Sequence, residues 1–250
     1  MKKALLIALA AGLLLSPGCK KEKQEAGETP LAKKYARYKV QSYQDKDLAK
    51  WAATLEKAEA VDLLKEEKYV SPKNKAYDLS YVKLADDKKV YVESRHLADR
   101  PIVFTDENTK VYVRPSISSK VYGTVPRGTI GFIVDEKAEW VQVFVGKVGA
   151  KWITAQWIKD GYSADETLVQ EAKEYEAVAG GMDAPEIDEG TMKKIREKLA
   201  ELGKGTSVIA ELARKKLEAL DGAPSGEGGE KMTEQPKEEN PLQKEGEQPQ

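Results

Sequence analysis

The chain has 250 residues, with 41 Lys and Arg against 42 Asp and Glu, and a net charge of −1. That balance leaves no basic footprint for nucleic acid. A single histidine and a single cysteine exclude a two-histidine metal site, a triad with a second orienting histidine and an intramolecular disulfide.

At the N-terminus, Lys2 and Lys3 precede an uncharged apolar run, Ala4 to Leu15, and Ser16-Pro17-Gly18 lead into Cys19. This is the layout of a secretory signal. The run is shorter than the roughly 20 residues a transmembrane helix needs, and Lys20-Lys21-Glu22-Lys23 close it off. Leu15-Ser16-Pro17-Gly18-Cys19 resembles a lipobox, with Ser16 where that motif usually has Leu. The resemblance implies cleavage between Gly18 and Cys19 and acylation of the Cys19 sulfur, palmitate included. A leader over 1–18, a flexible tether over 19–32 and a body anchored to a membrane by lipid are therefore expected. Each buried CH₂ contributes about 0.8 kcal/mol, so several acyl chains hold the protein permanently. Lys20, rather than Asp, after the cysteine points by the same resemblance to the outer membrane.

Residues 33–102 are open to two readings. No glycine occurs between Glu28 and Tyr122, and Asp47 to Lys68 is rich in Ala, Leu, Lys and Glu, with Leu48, Trp51, Leu55 and Ala58 on one helical face. The other reading is a divergent copy of the segment that follows. Lys50, Thr54, Leu63 and Glu66 align without a gap on Lys120, Thr124, Ile133 and Glu136, with Ala58 on Gly128. Tyr81-Val82-Lys83-Leu84 and Val90-Tyr91-Val92 align on Trp140-Val141-Gln142-Val143 and Lys151-Trp152-Ile153, which brings His96 onto Trp157. The extra residues of the first copy, Lys68 to Asp78, fall in a loop, where insertion costs little.

Residues 103–162 read as β. Val111-Tyr112-Val113 and Ile130 to Val134 are rich in β-branched and aromatic residues, and Pro126-Arg127-Gly128 suits a type I turn. Val111-Tyr112-Val113-Arg114-Pro115-Ser116, Gly123, Gly128, Trp140-Val141-Gln142-Val143 and Lys151-Trp152-Ile153 together resemble the bacterial SH3 domain, SH3b, with Ala150-Lys151 in place of the usual glycine just before Trp152. The resemblance implies a small β-barrel that binds cell-wall or peptide ligands.

After Gly161 the period becomes helical. Ser163 and Glu166 have capping-box spacing, and Leu168, Val169, Ala172, Tyr175 and Val178 follow before Gly180-Gly181. A second helix is expected from about Thr191 to Leu202 and a third after Thr206 or Ser207. Residues 221–250, dominated by Gly, Pro, Glu, Gln, Ser and Lys, read as a disordered tail. The expected architecture is thus mainly β: two SH3-like barrels, one clear and one divergent, then a helical segment over 163–220 and the tail.

No catalytic residue, metal site or cofactor is expected. Acylation removes Cys19 as a nucleophile, His96 reads as a half-buried structural residue, and Asp86-Asp87 and Asp106-Glu107 read as solvated turns. Small barrels bind extended ligands in aromatic grooves. With Trp140 and Trp152 assigned to the core, Tyr112, Tyr122 and Trp157 become the candidate groove. The expectation is a non-enzymatic envelope lipoprotein that binds peptidoglycan or an envelope or host protein. The alternative is a scaffold that recruits a partner through its C-terminal helices and tail.

Overall fold

The computed structural model describes residues 29–183 and 187–222; the expected leader, Gly18, Cys19 and the residues after Gly222 lie outside them. Short alternating segments ended by tight turns build two antiparallel sheets. The first comprises β1 (Ala32–Ala36), β2 (Val40–Tyr43), β3 (Trp51–Leu55), β4 (Ala60–Val70), β5 (Ala76–Lys83), β6 (Lys89–Glu93) and β7 (Leu97–Ala98), in the spatial order β3-β2-β6-β5-β4-β1-β7. The helical reading of Asp47 to Lys68 is therefore corrected. β3 and β4 occupy it, because Leu55, Val61 and Leu63 are needed against Val82, Val90 and Val92 in one core cluster, and tertiary burial overrides helix propensity.

The second sheet comprises β8 (Arg100–Phe104), β9 (Asn108–Tyr112), β10 (Val121–Pro126), β11 (Ile130–Lys137), β12 (Trp140–Phe144), β15 (Gln156–Ile158) and β16 (Tyr162–Ser163), ordered β10-β9-β15-β12-β11-β8-β16. A separate hairpin, β13 (Gly146–Val148) and β14 (Lys151–Ile153), lies between β12 and β15. With that hairpin set aside, the two strand orders are the same, strand for strand. The bulges correspond as well. One interrupts β4 between Leu63 and Lys65, and one interrupts β11 between Ile133 and Asp135. Ala52 is the extra residue opposite β2, and Tyr122 is the extra residue opposite β9.

This pairing corrects two sequence alignments. Val82 lies opposite Leu63 as Val143 lies opposite Ile133, so Leu79, not Tyr81, holds the place of Trp140. Tyr91 pairs with Tyr43 and Tyr81 as Trp157 pairs with Tyr112 and Gln142, so Tyr91, not His96, holds the place of Trp157. Lys151-Trp152-Ile153 belongs to the extra hairpin and has no counterpart in the first sheet. The loop expected over residues 68–78 shrinks to a turn at 71–75, and the flanking residues extend the β4–β5 ladder, with Tyr69 opposite Tyr77 and Val70 opposite Ala76.

The cores differ in how they fill equivalent space. Ala36 and Val61 are buried in the first sheet where Phe104 and Gly131 stand in the second. A Cβ on Gly131 would lie 2.9 Å from Cε2 of Phe104, so the large ring requires the missing side chain. The turn after Pro126 closes from Thr129 N–H to Pro126 O at 3.3 Å, with Gly128 third at φ 81°. It is therefore one residue out of phase with the type I turn expected with Pro second, because the glycine supplies a positive φ.

The described chain divides into two compact units, one up to Glu176, holding both sheets, and one from Ala177 on. α1 (Glu166–Gly180) crosses the division. Its first turn is capped by Asp165, whose Oδ1 accepts from Leu168 N–H at 2.9 Å, rather than by Ser163. In the second unit, Asp188 caps α2 (Glu189–Leu202), and the Ser207 hydroxyl accepts from Ala210 N–H at the start of α3 (Val208–Gly222). α2 and α3 bury Ile195, Leu199, Ile209, Ala210 and Ala213. α3 runs past the expected tail boundary at Asp221, to Gly222. No helix among the described residues is long and apolar enough to cross a membrane.

Candidate functional site

Alternation along each strand sends one side chain in two away from the core. In the first sheet, Ser42, Val82, Val90 and Val92 point inward and are buried. Their neighbours Tyr43, Tyr81 and Tyr91 therefore face outward. The register aligns these tyrosines across adjacent strands: Trp51 opposite Tyr43, Tyr43 opposite Tyr91, and Tyr91 opposite Tyr81. Residues directly opposite share a face. Four aromatic side chains on β3, β2, β6 and β5 thus form one row, about 14 Å long at the usual strand spacing.

Trp51 is 58% exposed and the three tyrosines are half-buried. The rings of Tyr91 and Tyr81 lie 4.7 Å apart and tilted by 32°. Polar groups flank the row. The Tyr43 hydroxyl donates to Gln41 Oε1 at 3.1 Å, and Lys46 Nζ lies 5.8 Å from the centre of the Tyr91 ring. Lys65 stands opposite Tyr81 on the next strand. Glu67 receives Lys46 and Lys65, each at 2.8 Å, and these ammonium groups hold its carboxyl below the usual range, Lys46 most strongly.

The second sheet carries a shorter version. Val121, Tyr112, Trp157 and Gln142 occupy the same positions in turn. Trp140 meets Tyr112 edge-on at 5.4 Å and is buried, outside the main core cluster. Of the three candidate groove residues, Tyr112 and Trp157 stand opposite each other. Tyr122 does not join them. As the bulged residue it turns inward, packs on the core cluster and donates its hydroxyl to Trp152 O at 3.1 Å. Trp152, expected in the core, is 60% exposed, because the hairpin that carries it lies outside the sheet. Sequence reasoning missed Trp51, Tyr43, Tyr91 and Tyr81. The available signal was one aromatic at an outward position of each strand, and the displaced hairpin alignment hid it.

His96 sits in a turn after β6, with its ring 5.4 Å from that of Tyr38 and its Nε2 accepting from Arg95 Nε at 3.2 Å. Burial, chiefly, lowers its pKa. Among the described residues no group of three or more His, Cys, Asp and Glu is placed to hold a metal ion.

A family model described as Lipoprotein LenA matches residues 5–180. No curated protein matches the chain significantly. Two solved structures are similar over part of it. NlpC2 from Trichomonas vaginalis is 14% identical, with a TM-score of 0.25, over 62% of this chain and 57% of its own, so less than two thirds of that protein is spanned. The structure titled Endolysin LysPBC5 CBD is 14% identical, with a TM-score of 0.21, over 53% of this chain and 94% of its own.

Proposed function

The chain belongs to the lipoprotein LenA family, and from that premise we propose that it is a non-catalytic binding protein, held at the cell envelope by lipid on Cys19, that engages peptidoglycan through the outward aromatic rows of two SH3-like repeats. The observation that carries this reading is the row Trp51, Tyr43, Tyr91 and Tyr81. Four rings at strand spacing, edged by Gln41, Lys46, Lys65 and Glu67, suit a polymer that presents apolar faces at regular intervals with polar edges. A glycan strand has that chemistry, since the C–H faces of its sugars stack on aromatic rings and its hydroxyls reach flanking polar groups. The identical strand orders and matching bulges support descent of both sheets from one duplicated unit. Tyr112 and Trp157 are then the remnant of the same row in the second repeat. Lys20 after the cysteine favours the outer membrane.

The test is retention of the soluble chain from Lys20 to Gln250 on purified peptidoglycan. Covering the face of a large aromatic side chain is worth about 1.5–3 kcal/mol, so Trp51→Ala and Tyr91→Ala should each weaken retention about tenfold or more, with circular dichroism unchanged. Undiminished retention in both variants overturns the reading. Binding that instead follows the residues after Ser163 favours the scaffold.

A further inference from the structure

The hairpin β13–β14 has no counterpart in the first sheet, where residues 84–88 join β5 to β6 directly. It builds one wall of a cleft of about 650 Å³ between the two sheets. Gly146, Lys147 and Trp152 line it from the hairpin. Arg37, Tyr38 and Lys57, from the turns after β1 and β3, form the other wall, and Phe144 and Val145 complete the lining.

The floor is aromatic. Phe144 lies 6.3 Å from the Tyr38 ring, and the Arg37 guanidinium lies 5.4 Å from the centre of the Phe144 ring. Tyr38 is 41% exposed, so with Trp152 two large rings open to solvent at one place. Scattered single exposed apolar residues need no explanation, whereas a concave cluster does.

The charge at this cleft is one-sided. All three ionic lining groups are cationic. Lys57 is paired with Glu176 at 2.9 Å. Arg37 and Lys147 have no carboxylate partner among the described residues. Asp99, which acts on Arg37 at longer range, is held by Lys34 at 2.6 Å. The Arg37 Nε is buried without an acceptor, and burial disfavours its charge. A planar guanidinium in that state matches a carboxylate, which it engages with paired donors.

Main chain is also available. β13 pairs only with β14, leaving its outer edge without a strand partner among the described residues. A Cβ on Gly146, at φ 94°, would meet nothing within 4 Å. An open strand edge beside charged and aromatic side chains is the arrangement that receives an extended peptide.

We propose that the cleft between the sheets binds an extended segment of a partner protein in which a carboxylate side chain stands beside an aromatic or aliphatic one. The carboxylate lies between Arg37 and Lys147, and the apolar side chain rests against Phe144, Tyr38 and Trp152. This site is independent of the aromatic row and stands whether or not the row binds glycan.

The test is fluorescence anisotropy on the chain from Lys20 to Gln250, with a labelled eight-residue peptide of alternating Glu and Phe as probe. Peptides of alternating Lys and Phe, and of alternating Glu and Ser, serve as controls. Both controls should bind about tenfold more weakly or worse. Trp152→Ala and Lys147→Gln, both at exposed positions, should each reduce affinity for the Glu–Phe peptide about tenfold. Lys147→Glu should shift preference toward the Lys–Phe peptide, a change that unfolding would not produce. Tyr91→Ala should leave peptide binding unchanged while weakening retention on peptidoglycan, which separates this proposal from the preceding one. Equal binding of the Lys–Phe peptide overturns it, as does undiminished binding in both cleft variants. Retention on phosphatidylglycerol vesicles that is lost in Lys147→Gln, without peptide binding, overturns it in favour of a membrane surface.

Discussion

Ala58 and Gly128 occupy the same turn position in the two sheets, and both have positive φ, 57° and 81°. The bonds around them agree: Ala58 N–H donates to Ala36 O and Gly128 N–H donates to Phe104 O, each at 2.8 Å. The first sheet thus holds an alanine in a left-handed conformation that costs an L-residue about 1–2 kcal/mol. Gly128→Ala should therefore destabilise the protein by about 1 kcal/mol. Ala58→Gly relieves strain but loses a buried methyl and loosens the unfolded chain, so it should change stability by less than about 1 kcal/mol. Urea unfolding of both variants checks the contrast, and a large loss in Ala58→Gly contradicts it.

Phe104 and Gly131 should behave as a coupled pair. Gly131→Ala places a methyl against the Phe104 ring and should cost about 1–3 kcal/mol by overpacking. In Gly131→Ala combined with Phe104→Leu, the smaller side chain leaves room for the methyl, so the double variant should be more stable than the two single effects added together. A double-mutant cycle by thermal denaturation reads the coupling, and strict additivity refutes it.

His96 gives stability a pH dependence of known sign. Its folded pKa lies below the ordinary value near 6.5, chiefly through burial; Glu93 opposes this shift, while Arg95 and Arg37 reinforce it. The unfolded chain then binds the extra proton first as pH falls. The contribution is complete above about pH 6.5 and is lost as pH drops through that value toward the folded pKa. His96→Gln should flatten the urea midpoint between about pH 7.5 and 5.5 relative to the unaltered chain. An identical slope in both proteins would exclude His96 as its source.

Arg214 Nη1 donates to the carbonyls of Gly203 and Gly205 at 2.6 and 2.9 Å, fastening the link between α2 and α3. Arg214→Ala leaves both carbonyls to water and should cost about 1–2 kcal/mol. Arg214→Lys should recover only part, since an ammonium lacks the planar fork. Far-ultraviolet circular dichroism on heating measures both.

The helical part was the most legible in one dimension. Asp188, Gly203 and Ser207 act on backbone groups within one turn of themselves, so their effects are written locally, and α2 begins only two residues before the expected Thr191. The strands of the second sheet were legible by alternation and β-branching. The first sheet was obscured because Ala, Leu, Lys and Glu in β3 and β4 carry helical propensity, which burial against Val82 and Val90 outweighs. Two of the three candidate groove residues, Tyr112 and Trp157, fall on one face. Tyr122 does not, because a bulge, whose extra residue no period reveals, reverses its direction.

The sequence by itself determined the lipoprotein character of the chain, which family membership supports, and the order of β and α segments after the first sheet. Those features rest on neighbours along the chain: an apolar run beside a cysteine, alternating side chains, caps next to the groups they satisfy. Only the tertiary structure decided which hairpin corresponds to which, and that Trp51, Tyr43, Tyr91 and Tyr81 stand in a line. Each of those four side chains comes from a different strand, and their adjacency is set by backbone pairing between segments far apart in the chain. A shift of one residue in any register would turn that strand's aromatic into the core.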